Sequence, residues 1–146
     1  QGKSLGFFEP AMRLTRLRLV DGVAASIHQS VVPTALIDRL SDATRDRLHQ
    51  TGVSDLSLYA TFEEAGIELV TATELVAARL ATPDEQKALA LPDPAAVMVI
   101  TRQSRTADGR LSEVTEAVYQ AEYYSYEISM LRGAAQPVPF QLRDAR

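Results

Sequence analysis

The chain has no cysteine and no tryptophan, and only two of its 146 residues are histidine. The lack of cysteine excludes disulfides and thiolate catalysis, and it fits a cytoplasmic protein. No apolar run reaches the roughly 18 residues of a membrane span, and no charged-then-apolar segment indicates a signal peptide. Because His28 and His49 are not spaced to share a metal ion, the sequence predicts no metal site, and we expect no cofactor.

Acidic residues outnumber basic residues by 19 to 15, which gives the chain a formal net charge of −4. A protein that binds duplex DNA needs a basic surface to neutralise the phosphates. We therefore expect this segment not to bind nucleic acid by itself. Its length is enough for one domain with a hydrophobic core.

Two segments have the pattern of a β-hairpin with arginine on the incoming strand. Asp-Gly lies at each turn, and this pair is a strong hairpin signal because it tolerates positive φ. The similar order of residues in both segments indicates an internal duplication. Strands and turns are expected at residues 12–20, Asp21-Gly22 and 25–32, and again at residues 97–102, Asp108-Gly109 and 113–119.

The second hairpin is preceded by elements that the first one lacks. Residues 67–79 predict a strand, and Thr82-Pro83-Asp84-Glu85 is a helix start with a capping threonine, a proline at the first helical position and a glutamate three residues after the cap. Only four residues precede Leu5, where the first copy begins. We therefore expect that the N-terminal strand and helix of the first copy are missing from this chain.

The remaining segments predict an α+β protein, mostly antiparallel sheet with helices on one side. Residues 35–48 read as helical, and a second helix is expected over residues 56–65, with Ser54-Asp55 as its cap and Gly66 at its end. A last strand is expected over residues 124–131. Residues 132–146 read as a tail or an exchanged arm.

Several short motifs of this chain, in their order and spacing, resemble a UTRA domain, the effector-sensing domain of the HutC subgroup of GntR-type transcriptional regulators. The resemblance covers about residues 5–131. It implies a chorismate-lyase-like fold and a winged helix-turn-helix domain that would precede residue 1. The motifs are Arg16-Leu17-Arg18-Leu19-Val20-Asp21-Gly22, Pro33, Ser57-Leu58-Tyr59, Ala81-Thr82, Asp108-Gly109, Glu113 and Tyr119.

The function that the resemblance implies is small-molecule sensing and dimerisation in a bacterial, cytoplasmic repressor. The expected partners are a small anionic effector, a second copy of the chain, and operator DNA only through the missing N-terminal domain, with no membrane. A phosphorylated sugar is the leading effector class by resemblance, and a small carboxylate is the runner-up.

Arg16 and Arg18 are two residues apart on a strand, so both guanidinium groups leave from the same face. Like charges on one face repel each other unless an anion lies between them, and guanidinium groups match carboxylate or phosphate oxygens bidentately. The alternative is a solvated strand face or a pair of structural salt bridges. The resemblance assigns both arginines to the anionic part of the effector.

Ser57 and Tyr59 lie at the start of a helix, where free backbone N–H groups favour an anion. Alternatively, Ser57 only caps the helix and Tyr59 only packs against the core. The resemblance implies that this segment contributes a hydroxyl group to the effector pocket.

His28 lies on the return strand of the first hairpin, where a lone histidine is usually a packed or surface residue. Members of the family commonly have glutamate there, so His28 argues against an amino-sugar effector. We expect His28 to prefer a second anionic or hydroxyl group and to make the affinity pH-sensitive. Ser30, on the same strand, is a further candidate.

Glu113 and Tyr119 align with positions that often face the family's pocket. Gln120 replaces an arginine that many members have, which would leave less positive charge at that end of the pocket. Arg102 is the counterpart of Arg16 in the duplication. It either touches the effector or forms a structural ion pair with a carboxylate such as Glu113 or Glu116.

Two other functions stay open from the sequence. The implied fold is shared with a lyase, so a chorismate-lyase-like enzyme is one alternative, although the chain has no evident nucleophile with a base and no glycine-rich phosphate loop. The other alternative is a dimerisation module that senses nothing, in which the arginines are ordinary surface charges.

Overall fold

The computed structural model describes residues 10–50, the backbone of residues 52–53, and residues 57–129. Its elements in chain order are β1 Ala11–Val20, β2 Val23–Pro33, α1 Thr34–Ile37, α2 Asp42–His49, β3 Gly52–Val53, α3 Leu58–Glu64, β4 Leu69–Leu80, α4 Pro83–Leu89, β5 Ala96–Thr106 and β6 Leu111–Gln120.

The strands form one six-stranded sheet in the order β3-β1-β2-β6-β5-β4. All neighbours are antiparallel except β3, which runs parallel to β1 over two residues. The return strands of the two hairpins, β2 and β6, pair at the centre of the sheet. The predicted class, α+β with a mostly antiparallel sheet, is confirmed.

Both predicted hairpins are confirmed. At the first turn, Asp21 has φ 49° and Gly22 has φ 79°, so both central residues adopt the left-handed conformation that a two-residue hairpin turn requires. Gly109 has φ 79° in the second turn. Positive φ therefore explains Asp21 and Gly22 in the first turn and Gly109 in the second, because β-branched or bulky residues adopt this conformation only with strain.

Two apolar clusters hold the elements together, one on each face of the sheet. Residues of α1, α2 and α3 pack on β1 and β2 through Leu14, Val32, Ile37, Leu40, Leu48, Leu58, Phe62 and Ile67. The other cluster contains Ala81, Leu89, Val97, Val99 and Val118, with Leu17, Ala24, Ile27 and Leu91 packed around it. Alternate residues of a strand point to opposite faces, so Leu14 and Leu17 belong to different clusters.

Helix α4 is an exception to the expected placement of helices on one side, because it packs on the face opposite α1, α2 and α3. Its Leu89 is buried against Val97, Val99 and Val118. The buried Gln120 amide on this face donates to the carbonyl oxygens of Ala24, at 2.6 Å, and Leu89, at 2.9 Å. This amide therefore ties the end of α4 to β2.

The helix boundaries follow their capping residues. The predicted capping box of α4 is present: Glu85 N donates to Thr82 Oγ1 at 3.3 Å, and Thr82 N donates to a Glu85 carboxylate oxygen at 2.8 Å. Helix α3 is capped by Ser57, whose Oγ accepts from Ala60 N at 3.4 Å. Gly66 ends this helix in the left-handed region, as predicted. The predicted cap Ser54-Asp55 lies outside the described residues.

Two strand predictions need correction. The strand expected over residues 67–79 runs from Leu69 to Leu80. The strand expected over residues 124–131 is wrong for residues 124–129, which form no strand. Instead, the ring of Tyr124 stacks on Tyr119, and the Tyr126 hydroxyl donates to Glu74 at 3.0 Å. The last residues of the predicted strand, the tail over residues 132–146 and residues 1–9 lie outside the described residues.

Within the part of the chain that the structure describes, no helix is long and apolar enough to cross a membrane.

The role of Gln120 predicts a measurable loss of stability. Gln120→Ala leaves two buried carbonyl groups without their donor and should lower the free energy of unfolding by about 1–3 kcal/mol, measured by urea denaturation. Gln103→Ala, at an exposed position of β5, is the matched control and should change it by less than about 0.5 kcal/mol. Equal effects of the two variants would contradict the assigned role of Gln120.

Candidate functional site

A cavity of about 290 Å³ lies on the face of the sheet that carries α3. All the principal candidates from the sequence line it, and so does Arg102. Ser30 lies beside the cavity through hydrogen bonds to its lining residues. The lining consists of Arg16, Arg18, His28, Ser57, Leu58, Tyr59, Ile100, Arg102, Glu113, Thr115, Ala117, Tyr119 and Tyr124.

Strand register explains why residues so far apart in sequence meet here. Cross-strand partners form rows that run across the sheet, and every residue in these rows faces the cavity side. The first row is Arg18, Ser26, Tyr119 and Met98; the second is Arg16, His28, Ala117 and Ile100; the third contains Ser30, Thr115, Arg102 and Glu74. The small side chain of Ala117 leaves room above the middle row.

Arg16 and Arg18 form the cationic side of the cavity. Arg16 is only 7% exposed and donates from Nη2 to Ser30 Oγ at 2.9 Å. Burial, and then the charge of Arg18, lower the pKa of Arg16, and the charge of Glu113 opposes this shift. Within the described residues, the buried Nε of Arg18 has no hydrogen-bond partner. The arginine pair therefore presents positive charge that an anion in the cavity would stabilise.

Arg102 forms an ion pair with a carboxylate, as one of the two interpretations from the sequence held, but its partner is Glu74 of β4 and neither Glu113 nor Glu116. Its guanidinium also lies over the ring of Tyr59, 5.4 Å from the centroid. The cavity thus contains one arginine whose charge is largely compensated, beside the pair on β1.

Glu113 is a buried carboxylate at the floor of the cavity. Thr115 Oγ1 donates to it at 2.6 Å, and the hydroxyl groups of Ser30 and Ser104 lie at 3.5 and 3.4 Å. Ser30 and Thr115 are also within 2.7 Å of each other. This network supplies a polar floor with both acceptors and donors.

His28 is buried between the arginines and the tyrosines. Its Nε2 lies 2.9 Å from Ser26 Oγ, and its ring meets Tyr119 edge to face at 5.4 Å. Burial, and then the charges of Arg18, Arg16 and Arg102, lower the pKa of His28 to about 3. His28 is therefore neutral near pH 7 in the unliganded protein, and its effect on the pH dependence of effector affinity stays a prediction.

Ser57 and Tyr59 close the cavity from the start of α3. Ser57 caps the helix and also lines the cavity; the contribution of its hydroxyl group to effector binding stays a prediction. The Tyr59 hydroxyl is 2.7 Å from Ser104 Oγ, while about a third of Tyr59 remains exposed.

Several residues of this site were not predicted from the sequence. Thr115 shares a strand face with Glu113 and Tyr119, and this alternation could have identified it. Glu74 could be placed near the cavity only from the pairing of β4 with β5. Tyr124 was not identified because it was assigned to the predicted last strand. Gln120 is not at the site, because it points to the opposite face and binds Ala24 and Leu89.

Ser26 and His28 form a hydrogen-bonded pair of a hydroxyl group and an imidazole beside the cavity. A histidine whose pKa is about 3 is a weak base at neutral pH, and Ser26 is 3% exposed and does not line the cavity. The described residues also contain no group of carboxylates and histidines that could hold a metal ion. The cavity thus combines cationic side chains with hydroxyl groups and a carboxylate.

The comparisons with known proteins agree with this description. A family model described as the UTRA domain matches residues 3–125. No curated protein sequence matches the chain. Among solved structures, the GntR-family transcriptional regulator from Enterococcus faecalis V583 is 16% identical, with a TM-score of 0.70 over 86% of this chain and 85% of that chain.

Two further structures have the same fold. The effector domain of PhnF from Mycobacterium smegmatis is 20% identical, with a TM-score of 0.67 over 84% of this chain and 70% of that chain. A structure described as the ligand-binding domain of a GntR-family regulator from Bordetella bronchiseptica is 24% identical, with a TM-score of 0.64 over 77% and 68%.

The family model covers most of the chain, and UTRA domains are regulatory domains of transcription regulators, not enzymes. The solved structures share the sheet and helices described above. The chain belongs to the UTRA domain family and has the fold of the ligand-binding domains of GntR-family transcriptional regulators.

Proposed function

We propose that this chain is the effector-binding and dimerisation part of a bacterial, cytoplasmic repressor of the HutC type, and that its effector is a small anionic metabolite. The observation that carries the proposal is the pair Arg16 and Arg18 at one side of the cavity. Arg16 is buried and Arg18 is half-buried, and the charge of Glu113 acts on Arg16 within the same cavity. An anionic effector brings a further negative charge to the two guanidinium groups, whose geometry matches its oxygens.

The arginines and the floor of the cavity suit two different parts of the effector. The guanidinium groups match phosphate or carboxylate oxygens. Glu113 and Thr115 suit a body with hydroxyl groups, because the carboxylate accepts hydrogen bonds and the Thr115 oxygen, whose proton goes to Glu113, has lone pairs that accept as well. A phosphorylated sugar is the leading class, and a small carboxylate is the alternative since a neutral His28 stands beside the arginines.

Domain organisation is part of the same proposal. Residues 1–131 form the effector-binding unit, residues 132–146 a tail or arm, and a winged helix-turn-helix domain N-terminal to residue 1 binds the operator as a homodimer. The effector and operator affinities are linked: an effector that weakens operator binding binds more weakly to the DNA-bound form by the same factor.

A dimerisation module without a ligand is the competing function. A ligand that binds only the folded state raises the melting temperature in a concentration-dependent way. Thermal-shift screening against sugar phosphates and small carboxylates separates the two functions, and it provides the compound used below.

Substitution of the arginines should weaken effector binding. Charge-assisted hydrogen bonds contribute about 1.5–3 kcal/mol each, so Arg16→Ala or Arg18→Ala should lower the affinity about tenfold to a hundredfold in titration calorimetry. Arg18→Lys should recover only part, because an ammonium group cannot form the bidentate contact. Arg47→Ala, on the exposed face of α2, is the control. Wild-type affinity in both alanine variants would place the pocket elsewhere.

Acidification should destabilise the unliganded protein through His28. The pKa of His28 is lowered to about 3 from 6.5, so between these values the unfolded chain binds a proton that the folded protein does not. The free energy of unfolding therefore falls as the pH drops below about 6.5, by at most about 1.36 kcal/mol per unit for this group.

His28→Gln should flatten this dependence in urea denaturation between about pH 7 and pH 5, since glutamine does not titrate. His49→Gln, at an exposed position of α2, is the control and should keep the wild-type slope. Identical slopes in wild type and His28→Gln would show that His28 is not held neutral by the folded protein.

The full-length protein provides the test of function. Its operator affinity should change as the effector identified by screening is titrated, because effector and DNA binding are coupled. The 146-residue chain alone, with net charge −4, should give no specific band shift at physiological salt. Equal operator affinity at all effector concentrations would refute the sensor function.

A further inference from the structure

The hydroxyl of Tyr124 is a buried polar group without a hydrogen-bond partner in the described residues. Tyr124 as a whole is only 8% exposed, and it lines the cavity. Buried hydroxyl groups in native proteins nearly always have a partner, so an exception calls for an explanation such as a ligand. A bound molecule would supply the hydrogen-bond partner that this hydroxyl lacks.

The position of Tyr124 is set by the tyrosine beneath it. Its ring stacks on Tyr119 with centroids 3.9 Å apart and planes inclined by 23°. Tyr119 in turn is held edge to face by His28. Stacking on Tyr119 restricts the Tyr124 ring at the edge of the cavity, so an effector that contacts its hydroxyl meets a side chain that is already ordered.

The protonation state of Tyr124 makes it a donor. Burial, then the neighbouring Tyr119 and Glu74, raise the pKa of Tyr124 above that of an ordinary tyrosine. The phenol therefore keeps its proton at physiological pH. A group that approaches it must accept a hydrogen bond, as a hydroxyl, carbonyl or ring oxygen does.

Tyr124 and the arginine pair lie on different sides of the cavity. Arg16 and Arg18 are on β1. Tyr119, on which the ring of Tyr124 stacks, is on β6, and β2 lies between these two strands. Adjacent strands are about 4.8 Å apart, so the two sides are about 10 Å apart at the backbone. One small molecule can reach both.

We propose that Tyr124 is an effector-binding residue that donates a hydrogen bond to the body of the effector, opposite its anionic group. This inference rests on the proposed function and narrows the effector class to anions that carry a hydrogen-bond acceptor away from the charged end. Inorganic phosphate engages the arginines alone, whereas a sugar phosphate engages the arginines and Tyr124.

The test compares Tyr124→Phe with Tyr123→Phe, whose ring is outside the cavity lining. The probes are inorganic phosphate and glucose 6-phosphate, and the readouts are melting temperature and calorimetric affinity. Tyr124→Phe should weaken glucose 6-phosphate binding by roughly fivefold to tenfold, the effect of one hydrogen bond, and leave the affinity for inorganic phosphate unchanged. Arg16→Ala should weaken binding of both probes, and Tyr123→Phe neither.

The unliganded protein gives a second readout that needs no probe. Because phenylalanine removes only an unpaired hydroxyl, Tyr124→Phe should match or exceed the wild-type melting temperature. A clearly lower value would mean that the hydroxyl already has a partner in the protein, which would overturn the inference.

The remaining outcomes separate the inference from the function on which it rests. If glucose 6-phosphate binds in an Arg16-dependent way but equally well to Tyr124→Phe, the role of Tyr124 fails and the proposed function stands. If neither probe stabilises the wild type, the result counts against the anion site itself and overturns both.

Discussion

The pairing of β2 with β6 is the interaction on which the rest of the structure depends. It joins the two hairpins, and its register places Ser26 opposite Tyr119 and Ser30 opposite Thr115. Side chains alternate between faces, so a slip of one residue would turn every cavity residue of one hairpin to the other face. The arginines of the first hairpin and Glu113 of the second meet only because this register is kept.

The cavity brings positive charges close together in the absence of a ligand. Arg16 is buried beside Arg18, and His28 stays neutral largely because burial and these cations oppose its protonation. Such an arrangement lowers the stability of the unliganded protein and increases the stabilisation that a ligand provides, because a bound anion reduces the repulsion among these cations. Arg102 adds little net positive charge to the cavity, because it forms an ion pair with Glu74.

Local chemistry made the elements around the site predictable. Asp21-Gly22 specifies a turn whatever lies around it, and Thr82 with Glu85 specifies a helix start by contacts within four residues. The shared face of Arg16 and Arg18 follows from strand alternation alone. The resemblance to a known family then indicated site residues on separate elements, which alternation along one strand cannot relate to each other.

Contacts between distant segments were not predictable. The ion pair of Arg102 with Glu74 depends on the register of β4 against β5, and no local pattern encodes that register. Tyr124 was assigned to a strand, whereas stacking on Tyr119 decides its position. The face of the sheet on which α4 packs likewise depends on the apolar residues that Leu89 contacts.

The central claim is that an anion binds between Arg16 and Arg18 in this cavity. Nuclear magnetic resonance of the arginine Nε–H groups, recorded while the chain is titrated with inorganic phosphate at constant ionic strength, tests it directly. The account predicts saturable shifts of the Arg16 and Arg18 signals and no more than small linear changes at the exposed Arg47. Uniform, non-saturating changes at all these arginines would contradict it.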